Sequence, residues 1–182
     1  MTDILPIYCI DTNTIVSFVK KTDDEFYGAD VFGVQWAIFE DLMEQGFMVA
    51  SIKVKQELEK WKGKSPEIKE WIRKHSRIFV AIDDEQLLSA ATIVEKYDAY
   101  TKNENYANDL AVISLAHAKK LTLVTLEKLA PTHVDTKPKI PNVCQEFGVS
   151  VVSVSGFLRL EQARNDATTP KLEISEAKTV QP

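Results

Sequence analysis

Short apolar runs at residues 7–10, 47–50, 121–125 and 149–154 alternate with stretches whose apolar side chains recur at helical spacing. That alternation constrains the fold more than any other feature. A parallel strand pair needs a crossover long enough to hold a helix, and such crossovers cover the sheet. The chain therefore reads as α/β, with a mainly parallel sheet and helices on both faces.

Local signals place the helices. Residues 30–46 repeat Val31, Val34, Ile38, Phe39, Leu42 and Met43, and Gly46 is set to end that helix. Ser51 is a cap for a helix to about Trp61, and Ser65 followed by Pro66 starts another through Arg73. Residues 78–82 read as either a short strand or an extended connection. Asp83 or Asp84 caps a helix to about Tyr97, with Leu87, Leu88, Ala91, Val94 and Tyr97 expected inside. A helix over 105–120 ends in lysines that suit its dipole, residues 130–141 form a proline-rich loop, and short helices follow at 143–147 and 156–162. Residues 1–163 are expected to be one domain, and the polar stretch 164–182 a flexible tail.

At 182 residues and 45% hydrophobic content the chain can bury one core. No apolar run approaches the roughly 20 residues needed to span a bilayer, so a soluble, cytoplasmic protein with no membrane partner is expected. Cys9 and Cys144 show no metal-ligand spacing and read as buried thiols. His75, His117 and His133 are too scattered for a zinc site. A net charge of −5 opposes binding through a broad basic surface. It leaves open recruitment of phosphates by carboxylate-held metal ions.

Four acids sit where such a site could form. In open parallel sheets the working crevice lies beyond the carboxyl ends of the strands. Asp11 follows the first apolar run directly, Glu57 lies about two turns into the helix after the second, Asp109 opens a later helix, and Glu127 lies just past 121–125. Carboxylates are the hard oxygen donors that Mg²⁺ and Mn²⁺ prefer, and a two-metal site can activate water and stabilise a leaving oxygen. Each acid also has a plain reading. Asp109 caps a helix or faces solvent, Glu57 belongs to a charged helix face, and Asp11 turns the chain, although a carboxylate ending a buried strand needs a partner. Phosphotransfer through Asp11 is disfavoured because Asn13 stands where a second Asp is expected.

Taken in order, these segments resemble the PIN-domain family, in its toxin-type, VapC-like branch. Ile10-Asp11-Thr12-Asn13 resembles its opening strand and Asp, Val54-Lys55-Gln56-Glu57-Leu58 its second acidic motif, and the run from Asn108-Asp109-Leu110 to Ala116 its third. Leu123-Val124-Thr125-Leu126-Glu127 resembles its strand ending in Thr and then an acid, with Glu here where many members carry Asp. Lys139-Ile140-Pro141-Asn142-Val143-Cys144, followed by Phe147-Gly148-Val149, is similar to the end signature of a bacterial and archaeal branch.

The resemblance implies a three-layer α/β/α PIN-like fold and a Mg²⁺- or Mn²⁺-dependent endoribonuclease, the toxin of a toxin-antitoxin pair. Asp11, Glu57, Asp109 and Glu127 would hold the metal, supported by Thr12, Asn13 and Thr125. The substrate would be RNA, with an antitoxin protein blocking the acidic cleft and a homodimer common in the family. The alternative is a non-catalytic PIN-like module that binds RNA or a protein. Lys137 and Lys139 either hold RNA phosphates or only solubilise their loop, and Trp36, Trp61 and Trp71 read as core or interface anchors.

Overall fold

The computed structural model describes residues 5–19, 27–61, 65–102, 106–132 and 137–168. Five strands, β1 (Tyr8–Ile10), β2 (Met48–Ser51), β3 (Phe79–Val80), β4 (Thr122–Val124) and β5 (Val151–Val152), form one sheet in the order β3-β2-β1-β4-β5. Every pairing is parallel, with Tyr8 opposite both Met48 and Thr122 and Cys9 opposite Val49 and Leu123. All three residues of β1 are buried, as a central strand covered on both faces requires.

The helices are α1 (Thr12–Val19), α2 (Gly33–Glu44), α3 (Ile52–Trp61), α4 (Pro66–Lys74), α5 (Asp84–Lys96), α6 (Ala99–Lys102), α7 (Ala107–Lys119), α8 (Ile140–Glu146) and α9 (Val154–Thr168). Neighbouring residues of β1 show the layers, because successive side chains on a strand point to opposite faces. Cys9 directs its thiol to the Val112 carbonyl of α7, while Tyr8 packs edge to face on Phe157 of α9 and donates its hydroxyl to Glu161 Oε1 at 2.5 Å. Helices α7 and α9 therefore cover opposite faces, giving the expected three-layer α/β/α architecture.

Most boundaries follow the local signals. Ser65 accepts from the Ile68 N–H with Pro66 opening α4, and Asp83 accepts from the Gln86 N–H at 2.9 Å to cap α5. Gly46 sits at φ +80° past the end of α2, the left-handed geometry that favours glycine, and its N–H reaches the Met43 carbonyl. Residues 79–80 are a strand, since a two-residue segment can pair with β2 along a single edge. Cys9 and Cys144 are free buried thiols. Among the described residues, no helix is long and apolar enough to cross a membrane.

Three expectations need correction or extension. Leu87, Leu88 and Ala91 are not inside: Leu87 is 56% and Leu88 71% exposed, and α5 turns Gln86, Ser89 and Ile93 inward. The reason lies across the interface, where the Gln86 side-chain amide donates to the Ala111 carbonyl at 2.9 Å and to Ser114 Oγ at 3.3 Å, so α5 meets α7 through hydrogen bonds at its start. Helix α2 begins at Gly33, leaving Val31 and Val34 exposed. Helix α9 continues past the expected boundary at 163, and inside it Arg164 donates to both oxygens of Glu161 at 3.0 and 3.3 Å while lying over the Phe47 ring. Residues 169–182 of the expected tail, together with His133 and the Trp61 side chain, lie outside the described residues.

One side of the core is aromatic. Phe39 stacks on Phe18 at 4.0 Å between nearly parallel rings and lies beside Trp71, joining α1, α2 and α4; Trp36 is half-buried beside them. Phe39 has no solvent exposure. Phe39→Ala is expected to lower the unfolding free energy by about 3–5 kcal/mol, read as a lower midpoint in urea.

Candidate acidic site at the carboxyl edge of the sheet

The four acids arrive from separate elements. Asp11 joins β1 to α1, Glu57 lies in the middle of α3, Asp109 is in the first turn of α7, and Glu127 follows β4. Asp11 is 3% exposed, and its carboxylate is held from both sides. Oδ1 accepts the Thr14 N–H at 2.8 Å, as a helix-capping Asp does, and Oδ2 accepts Thr125 Oγ1 at 2.5 Å. The Asp11 N–H and the Thr14 hydroxyl both donate to the Val124 carbonyl, at 3.3 and 3.0 Å.

Thr125 reaches further: its Oγ1 also accepts the Glu127 N–H at 3.0 Å, so one hydroxyl joins two of the acids. Glu127 Oε2 accepts the N–H of Ile140, the first residue of α8, at 3.0 Å, and Oε1 lies 3.5 Å from Lys139 Nζ. Thr12, expected to brace Asp11 or a water, instead donates to Glu57 Oε2 at 2.5 Å. Asn13 and Lys137 are exposed. Thr14 escaped the sequence reading although its position, three residues after an Asp that ends a strand, is where a capping carboxylate finds a backbone N–H.

Asp109 differs from the other three, with no hydrogen-bond donor on its carboxyl among the described residues. Its pKa is pushed up to about 7, first by burial and then by the negative charges of Glu127, Asp11 and Glu57, against a weaker pull from Lys139. Burial also raises Asp11, to about 6, with Glu127 adding to the shift and the bonds from Thr125 and Thr14 opposing it. Opposing fields of this size mark a cluster of like charges sharing a poorly solvated edge.

In kind, these donors suit a hard divalent cation, and the repulsion at Asp109 is of the sign that such an ion relieves. Their spacing is looser than a closed site. Among the described residues no three His, Cys, Asp or Glu side chains are close enough to hold one ion, and Glu57 and Glu127 spend oxygens on Thr12 and Ile140. The arrangement is a ring of acids with one unbonded member.

Residues 8–165 match a domain family described as a domain of unknown function, DUF4411. This chain belongs to that family. The match takes in every strand of the sheet and all four acids of this DUF4411 chain. No curated protein matches it. Among solved structures, a chain from the crystal structure of VapBC2 from Rickettsia felis, bound to a DNA fragment from their promoter, is similar at 19% identity with a TM-score of 0.46, covering 81% of this chain and 98% of its own.

Asp109→Asn is expected to raise the thermal midpoint of the protein kept free of divalent ions at pH 8. Because the folded-state pKa of Asp109 is raised, its ionised form opposes folding above about pH 7, and that penalty fades as pH falls toward the ordinary carboxylate range. The gain should be a few degrees, as about 1 kcal/mol moves the midpoint of a domain this size by about 2–4 °C. It should shrink by pH 5, which calorimetry at the two pH values will show.

Proposed function

We propose that the protein is a divalent-cation-dependent endoribonuclease acting as the toxin of a toxin-antitoxin pair. The observation that carries this reading is Asp109, a carboxyl without a donor at the carboxyl edge of a parallel sheet, under the combined charge of Asp11, Glu57 and Glu127. The ordered acidic motifs that resemble the PIN family support it.

In this reading Asp11, Glu57, Asp109 and Glu127 hold Mg²⁺ or Mn²⁺, which would polarise a phosphodiester and lower the pKa of an attacking water. The chain's own groups prepare the site. Thr14 and Thr125 fix the Asp11 carboxylate in one rotamer, and Thr12 steers Glu57. Lys139, and Lys137 beside it in sequence, provide positive charge for the RNA backbone, with Lys139 now lying against Glu127. An antitoxin that covers the acids would block access, and a homodimer belongs to the same reading.

A second reading, a non-catalytic PIN-like module that binds RNA or a protein, is favoured by the spacing of the acids and by the protein donors that already occupy three of them. Turnover separates the two. With purified protein and a structured RNA, cleavage should require Mn²⁺ or Mg²⁺, stop with a chelator and return on adding Mn²⁺. Asp11→Asn and Asp109→Asn should each reduce it by at least about 100-fold with the fold intact by circular dichroism. RNA binding without cleavage in the wild type would establish the binding module instead.

A further inference from the structure

Buried phenols in this fold usually end on a carboxylate. Tyr8 donates to Glu161 and Tyr97 to Glu146. Tyr100, only 5% exposed, breaks the pattern: its hydroxyl is buried with no hydrogen-bond partner. Leaving a buried hydroxyl unpaired costs about 1–3 kcal/mol, so such a group calls for an explanation.

The ring is fixed in place. It lies edge to face with Tyr97 at 6.3 Å and with Tyr106 at 6.1 Å, and the Tyr100 N–H is bonded to the Tyr97 carbonyl. Helix α6, which carries it, packs on α7, the helix of Asp109. The carboxylates whose charge bears on the phenol are Asp109 and Glu127, both of the acidic site. A phenol facing acceptors offers its proton, yet neither acid takes it.

The other unpaired buried atoms are explained locally or lie elsewhere. Glu40 Oε1 and His75 Nε2 face each other at 2.9 Å, Trp71 Nε1 belongs to the aromatic core, and the Gln86 amide already donates twice to α7.

We propose that Tyr100 is a ligand-binding residue of the acidic site, its O–H donating to an oxygen of the ligand seated by Asp109 and Glu127, either a water or a phosphoryl oxygen. This rests on the reading of that site as one that holds a cation and a phosphate. Unpaired in the free protein, the hydroxyl acts as a donor fixed in advance, which loses no side-chain freedom when the ligand arrives.

Tyr100→Phe removes only the hydroxyl. A merely structural role for an unpaired hydroxyl predicts an unchanged or higher thermal midpoint and no effect on ligands. The test is calorimetric titration of the full chain with Mn²⁺, and of the Mn²⁺-saturated protein with inorganic phosphate, with Tyr97→Phe as a control that loses a bonded phenol of the same aromatic cluster. Tyr97→Phe should lower the midpoint and leave both affinities unchanged. Tyr100→Phe should keep the midpoint and weaken binding by about 10- to 100-fold. Weaker binding of Mn²⁺ itself identifies the acceptor as water, and weaker binding of phosphate alone identifies it as a phosphoryl oxygen. Equal affinities in the wild type and Tyr100→Phe for both ligands would overturn the role of Tyr100 while leaving the cation reading standing. A wild-type protein that takes up no Mn²⁺ would overturn the cation reading and this role with it.

Discussion

At the carboxyl end of the sheet the two central strands are fastened to each other through Asp11. Its carboxylate takes the Thr14 N–H on one side and the Thr125 hydroxyl on the other, while its own N–H and the Thr14 hydroxyl close on the Val124 carbonyl. The start of α1, the end of β1 and the end of β4 are thereby fixed relative to one another. Thr125 then passes the constraint to Glu127, and Glu127 to the first N–H of α8. An acid that looks like a ligand is thus also a structural fastener, and the edge on which the other acids converge is held by it.

The same edge is where the fold is least at ease. Asp109 and Asp11 are both pushed toward neutrality by burial and by neighbouring acids. A chain selected for stability alone would place an amide or an apolar residue at position 109, so the retained carboxyl is better explained by something that binds there. The threonines show how part of the strain is met. Thr12, Thr14 and Thr125 each supply a donor to a carboxylate, while Asp109 is left for a partner from outside.

Elements with a local cause could be read from the sequence. Ser65-Pro66 starts α4 and Gly46 ends α2 because caps and left-handed glycines act within a few residues. Asp11 was legible because a buried strand rarely ends on an unpaired carboxylate. What depends on a distant partner was not. Nothing near Thr12 points to Glu57, forty-five residues on. Leu87 and Leu88 looked like a core stripe because α7's answering groups, the Ala111 carbonyl and Ser114, cannot be seen from within α5. Nor does any pattern mark Tyr100, whose distinction is a missing bond.

Glu161 has a consequence for where this domain can be cut. Its carboxylate is 3% exposed, and the positive charge bonded to it comes from Arg164, one turn later in the same helix. A chain ended at residue 163 would leave that negative charge buried against the Tyr8 hydroxyl alone, at the central strand of the sheet. The smallest self-sufficient unit therefore extends at least through Arg164. The last turns of α9 supply the counter-ion of the core, and with it the C-terminal limit of any shortened form that is to fold.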